Sequence, residues 1–152
     1  MSALVVGIGN PSRGDDGIGP LVAARVAELG LPGVEVVAYD EPLALVEHLA
    51  GHDDVVVVDA ARTREARPGA VHVVRVGSAP LPRDAVALGS HGLGVAEAVE
   101  LARALGRLPR RLTLVGVEAQ AVDLGAPLSA PVRDSVDDAV DAVVAALPAA
   151  AR

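Results

Sequence analysis

Residues 4–11, Leu4-Val5-Val6-Gly7-Ile8-Gly9-Asn10-Pro11, form an aliphatic, β-branched run that breaks on Gly-x-Gly-Asn-Pro. Such a run reads as a buried strand delivered into a loop. Past the loop, Ile18, Leu21, Val22, Val26 and Leu29 recur at helical spacing, and Gly30 followed by Pro32 ends the helix. Asp15 or Asp16 is placed to cap its start. A strand, a loop and a helix in this order begin a parallel α/β fold.

The same alternation continues along the chain. Residues 34–38 read as a second strand, 42–49 as a short helix, and 55–58 as a third strand of four consecutive valines. Four valines together suit a strand covered on both faces. Residues 60–69 are polar, rich in Arg and too short for a covered crossover helix, so the next strand, 71–76, is expected to pair antiparallel or at an edge. A Pro- and Gly-bearing loop over 77–90 leads to His91 and an Ala-rich helix over about 94–105, then a strand over 112–117. A second loop, 118–129, precedes a closing helix with Pro131 in its first turn and Asp134, Asp137 and Asp138 near the dipole's positive end. The pattern predicts a three-layer α/β sandwich around a mostly parallel sheet of about five strands. One strand is an antiparallel edge, and helices cover both faces.

Composition narrows the function. At 152 residues the chain fits one domain, 1–152. It carries 13 Lys+Arg, every one an arginine, against 20 Asp+Glu, for a net charge of −7 that repels phosphate backbones. Tyr39 is the single aromatic residue, so nothing is available for a base-stacking platform. With no cysteine there is no disulfide, thiolate metal site or thiol nucleophile. Residues 1–4 lack a basic signal-peptide start and no apolar stretch is long enough to span a bilayer, so the expectation is a cytoplasmic protein without nucleic-acid or membrane partners.

In an open parallel sheet, ligands bind outside the carboxyl ends of the strands. Asp16 follows the first strand, Asp59 ends the third, and His91 precedes the helix that feeds the last parallel strand. Topology brings all three to one rim. Two carboxylates and an imidazole make a mixed oxygen and nitrogen donor set suited to a divalent ion such as Ni, Zn, Mn or Fe(II), and three protein ligands leave positions open for substrate or water. Each residue also has a plainer role: capping for Asp15 and Asp16, a strand-end amide bond for Asp59, an ordinary loop histidine for His91. His48, His52 and His72 read as structural or surface residues.

Competing signatures fail in the same loop. Gly7-x-Gly9 opens a dinucleotide fingerprint, but the third glycine would fall at Ser12, and Asp15 and Asp16 occupy the place of a pyrophosphate. No nucleophile elbow, zinc-protease helix or phosphate-loop lysine occurs. Gly9-Asn10-Pro11 is similar to the opening of peptidyl-tRNA hydrolases, a family with a catalytic histidine shortly downstream and a basic surface. Here acids follow, and the net charge is negative.

The chain as a whole resembles the endopeptidases that mature the large subunit of nickel-iron hydrogenases. The likeness rests on Val5-Val6-Gly7-Ile8-Gly9-Asn10, Asp15-Asp16-Gly17-Ile18-Gly19, Asp59-Ala60, Ser90-His91-Gly92-Leu93-Gly94, Leu112-Thr113-Leu114-Val115-Gly116-Val117 and Leu128-Ser129, in one consistent order. It implies that Asp16, Asp59 and His91 bind metal and carry catalysis. The implied substrate is a hydrogenase large-subunit precursor whose C-terminal extension is removed after nickel insertion, the Ni2+ arriving with the precursor. A non-catalytic, metal-dependent partner or chaperone of that precursor is the alternative, and a peptidyl-tRNA hydrolase-like esterase a more distant one. One departure stands out: the family often has Asp-Gly-Gly-Thr after the second strand, and this chain has Asp40-Glu41-Pro42-Leu43.

Overall fold

The computed structural model describes residues 2–63, 65, 67–77, 87–88 and 94–152. Every residue of the first strand, β1 (Ala3–Ile8), is buried. Its side chains alternate between two cores: Ala3 and Val5 face one, Leu4, Val6 and Ile8 the other. A strand that is apolar on both faces needs cover on both, and the helices supply it. On one side lie α1 (Ile18–Glu28) and α5 (Val136–Ala146), through Ile18, Val22, Val26, Ala139 and Val143. On the other lie α2 (Leu45–His48) and α3 (Val95–Ala104), through Leu45, Val95, Ala98, Val99 and Ala102.

The central sheet runs in the order β2 (Val34–Tyr39), β1, β3 (Asp54–Arg62), β6 (Arg111–Glu118), β4 (Val71–Val76). The first four are parallel, and β4 pairs antiparallel to β6 as the outer strand. The expected three-layer α/β architecture with one antiparallel edge strand is therefore observed, and the short polar connection after β3 is the reason for that edge. Among the described residues no helix is long and apolar enough to cross a membrane.

Four local expectations change. The segment over 77–90, expected to be loop alone, contributes β5 (Ala87–Leu88), a two-residue strand antiparallel to the end of β3. The helix over 42–49 is mostly 3-10 in character, with one α turn between Pro42–Ala44 and Leu49–Gly51. The closing helix divides into α4 (Ala130–Asp134) and α5 at the buried Ser135, whose hydroxyl donates to the Val132 carbonyl at 2.7 Å and competes with the helical ladder there. Finally, neither Asp15 nor Asp16 caps α1. Both lie inside a preceding 3-10 turn, Gly14–Gly17, and no side chain bonds the helix start.

Candidate functional site

The order of strands creates an opening beside β3. The chain moves outward from β1 to β2, then returns to place β3 on the other side of β1, so β1 and β3 flank a reversal of direction. Asp59 does not end β3 as the sequence suggests. The strand continues to Arg62 because β6 pairs with it as far as Ala61 and β5 pairs with Ala61 and Arg62. On the other flank, β1 pairs only as far as Val58. Asp59 is thus the first residue of β3 past its pairing with β1, level with the last residue of that strand, and it reaches the rim although it lies within a strand.

Two glycines bring the loop after β1 close to this point. Gly9 has φ +144, and a Cβ there would overlap the Asp16 carbonyl oxygen. At Gly19, a Cβ would overlap the Ile8 carbonyl oxygen and meet that of Val58, so only glycine lets the first turn of α1 settle on the ends of β1 and β3. Asp16, 7% exposed, sits in the intervening turn, and its Oδ2 accepts from the Asn10 amide at 2.9 Å. Asn10 in turn receives the Ser12 amide on its own Oδ1 at 2.9 Å, which closes the loop.

Asp59 is 1% exposed. Its Oδ1 accepts from the Ala60 amide at 2.7 Å, while its Oδ2 is buried without a hydrogen-bond partner among the described residues. Burial pushes its pKa well above the ordinary 3.8; the Ala60 amide opposes that rise and the Asp16 charge adds to it. A dry carboxylate oxygen with no donor is a costly arrangement in a folded chain, and such groups concentrate where a ligand completes them.

Two other buried carboxylates at the same edge behave in the opposite way. Asp15 accepts from the amides of Gln120 at 2.8 Å, Ala121 at 3.0 Å and Ser129 at 2.7 Å, and from the Ser129 hydroxyl at 2.8 Å. Burial alone would raise its pKa, but these donors hold it below the ordinary value. Glu118, at the end of β6, accepts from the Thr63 hydroxyl and lies 3.3 Å from His72 Nε2. Burial again acts to raise its pKa, and Thr63, the Arg67 backbone and His72 outweigh it, so Glu118 also stays below its usual range. Both are saturated anions that anchor loops. Sequence reading overlooked the Glu118 anchor, although its signal was present: β6, like β3, is an apolar run that meets an acid at the rim.

Asp16 and Asp59 are therefore brought to one edge, close enough for the charge of one to act on the other. His91 lies outside the described residues. Among those described, no group of three histidine or acidic side chains could hold a metal ion. The remaining histidines have local roles: His48 stacks on Tyr39 with ring centroids 4.8 Å apart, His52 Nε2 lies 3.0 Å from Glu35, and His72 supports Glu118.

Comparison with known proteins gives this geometry a family. The family model for HycI, hydrogenase maturation protease, matches residues 40–146. The chain belongs to the hydrogenase maturation proteases. Over 126 residues the protease is 29% identical to the hydrogenase 2 maturation protease of Escherichia coli, a match covering 81% of this chain and 76% of that one. Its match to the hydrogenase expression/formation protein HupM of Azotobacter chroococcum is 33% identical and covers 82% of this chain and 61% of the other. A solved structure, the [NiFe] hydrogenase maturation protease HybD from Thermococcus kodakarensis, superposes with a TM-score of 0.74 at 27% identity, covering 97% of this chain and all of that one. As a member of this family the protease is an enzyme of the endopeptidase class.

Proposed function

We propose that this maturation protease removes the C-terminal extension of a nickel-loaded hydrogenase large-subunit precursor, with Asp16, Asp59 and His91 as the residues that meet the metal. The observation that carries the reading is the buried Oδ2 of Asp59, without a partner among the described residues and within reach of the Asp16 charge. Carboxylate oxygens completed by an imidazole suit a borderline divalent cation, and Ni2+ delivered by the precursor is the ion expected; another divalent metal would fit the same donors. Such an ion supplies Lewis-acid polarisation of a carbonyl or activation of a water.

The chain's own contribution is to bury Asp59 with one oxygen lacking a donor among the described residues, where burial favours the protonated carboxyl until a cation takes the proton's place. A precursor without its metal offers nothing to that oxygen and forfeits the ligand bonds, so it binds too weakly to be cut. Specificity for loaded precursor then follows from an unpartnered group rather than from a shaped pocket. In the decisive assay the protein is incubated with cognate large-subunit precursor, with and without nickel, and release of the C-terminal peptide is followed by mass spectrometry. Release only from the loaded form is the expected result. Binding of the loaded precursor without cleavage would instead make the protein a chaperone of that precursor.

A further inference from the structure

We infer that Asp15 is a positioning residue for this reaction: by fastening the loop after β6 to the turn that carries Asp16, it holds the Asp16 carboxylate in register with Asp59. The inference rests on the function proposed above and adds a role for a residue outside the ligand set. A helix cap needs one hydrogen bond. Asp15 accepts four, all from residues 105 to 114 positions away in the chain. The backbone follows the same path, with the Asp15 amide donating to the Ala121 carbonyl at 2.8 Å, Gly14 to Ala126 at 3.1 Å and Gly125 to Ser12 at 2.7 Å. Residues 12–15 and 120–129 are joined along main chain and side chain together.

Asp16 is the next residue of the same tight turn, its amide bonded to the Arg13 carbonyl at 3.1 Å and its carboxylate to the Asn10 amide. In a 3-10 turn of four residues the Cα–Cβ bonds of neighbouring residues are set by one stretch of backbone, so a shift of the turn at Asp15 moves the base of the Asp16 side chain as well. The loop over 119–129 contains no helix or strand, and most of its side chains are half-exposed or exposed. Without the Asp15 anion, its order rests on a few main-chain bonds. Loss of Asp15 therefore releases the loop and, through the turn, frees Asp16.

The Asn10 amide reports this coupling, because it donates to Asp16, while the donors to Asp15 among the described residues are those of Gln120, Ala121 and Ser129. In metal-free full-length protein, hydrogen exchange is measured in the wild type and in Asp15→Asn, which keeps the side chain's shape but sets an amide group against donors that need an acceptor. Exchange at Asn10 is expected to rise roughly tenfold or more, together with Gln120, Ala121 and Ser129, while Val57 inside β3 keeps its wild-type rate. Cleavage of nickel-loaded precursor should fall by a similar factor. Ser129→Ala removes one donor without touching the carboxylate; it should give a smaller change at the same amides, and it carries the test if Asp15→Asn does not fold. Protection at Asn10 unchanged while the loop amides open would reduce Asp15 to a loop anchor and overturn the inference. An equal rise at Val57, or unaltered cleavage with Asn10 deprotected, would overturn it too. Should the wild type cleave no precursor, the proposed function fails, and the Asn10 result alone decides whether Asp15 controls Asp16.

Discussion

Replacing Asp59 by Asn should make the metal-free protein more stable and at the same time inactive. The carboxylate is buried, one oxygen is satisfied by the Ala60 amide, and the other has no partner among the described residues. An unsatisfied buried polar group costs about 1–3 kcal/mol, and more when charged. Asn is nearly isosteric, so no cavity opens, and its Oδ1 can still accept from Ala60. Its amide group is left without a partner, but it is neutral and easier to desolvate, so the net gain at pH 7 is set near the lower end, about 1–2 kcal/mol. For a chain of this size that is a rise in melting temperature of roughly 2–8 °C.

The pH dependence follows from the direction of the shift. A carboxyl whose folded pKa is raised costs nothing while it is protonated in both states, below the ordinary value of 3.8. The penalty grows as pH rises from there toward the folded pKa and is full above it. The stability gap between Asp59→Asn and wild type should therefore close toward pH 4 and widen as pH rises from there. Urea unfolding of both proteins between pH 4 and pH 8, without metal, measures it. A variant that is no more stable at pH 7, or a gap that does not change with pH, would refute the view of Asp59 as a carboxylate held unsatisfied for a ligand.

Other measurements test neighbouring parts of the argument. Glu118 has a lowered pKa, so its contribution is present above the ordinary 4.5 and is lost as pH falls through the folded value; Glu118→Gln should flatten the acid limb of the stability profile, and an unchanged limb would show that the anchor is not an anion. Gly19→Ala forces a methyl against the Ile8 and Val58 carbonyls and should cost about 1–3 kcal/mol or more in urea titration. Tolerance without loss would mean that α1 can withdraw from the strand ends. If His91 is a ligand, Ni2+ affinity measured by titration calorimetry should weaken below about pH 6.5, where imidazole takes up a proton, and His91→Ala should abolish most of that dependence. Equal affinity in the two proteins would remove His91 from the ligand set.

Much of this architecture is legible in local pattern alone. Runs such as 4–8 and 55–58 are apolar without alternation and so require cover on both faces, and the helical spacing from Ile18 to Leu29 supplies one covering element. The polar stretch 60–69 leaves no room for a crossover helix, which by itself marks 71–76 as the antiparallel edge observed. Those features also bring Asp16 and Asp59 to the carboxyl edge of the sheet. Element boundaries were less legible: β3 outruns its valines because β6 and β5 continue the ladder past Asp59, and pairing partners lie outside the segment being read.

Chemical roles at the rim were a matter for the tertiary structure. Asp15, Asp16, Asp59 and Glu118 are all acids that follow or end an apolar run, and nothing local separates them. Asp15 becomes a saturated anchor because Gln120, Ala121 and Ser129 arrive from over a hundred residues away, and Glu118 does so because Thr63 and His72 fold against it. Asp59 is left with one oxygen unfilled because, at the point where the pairing of β3 with β1 ends, no donor among the described residues reaches it. A carboxylate's behaviour is set by how many donors reach it and how much water does, and both quantities belong to the folded chain rather than to the stretch of sequence that carries the residue.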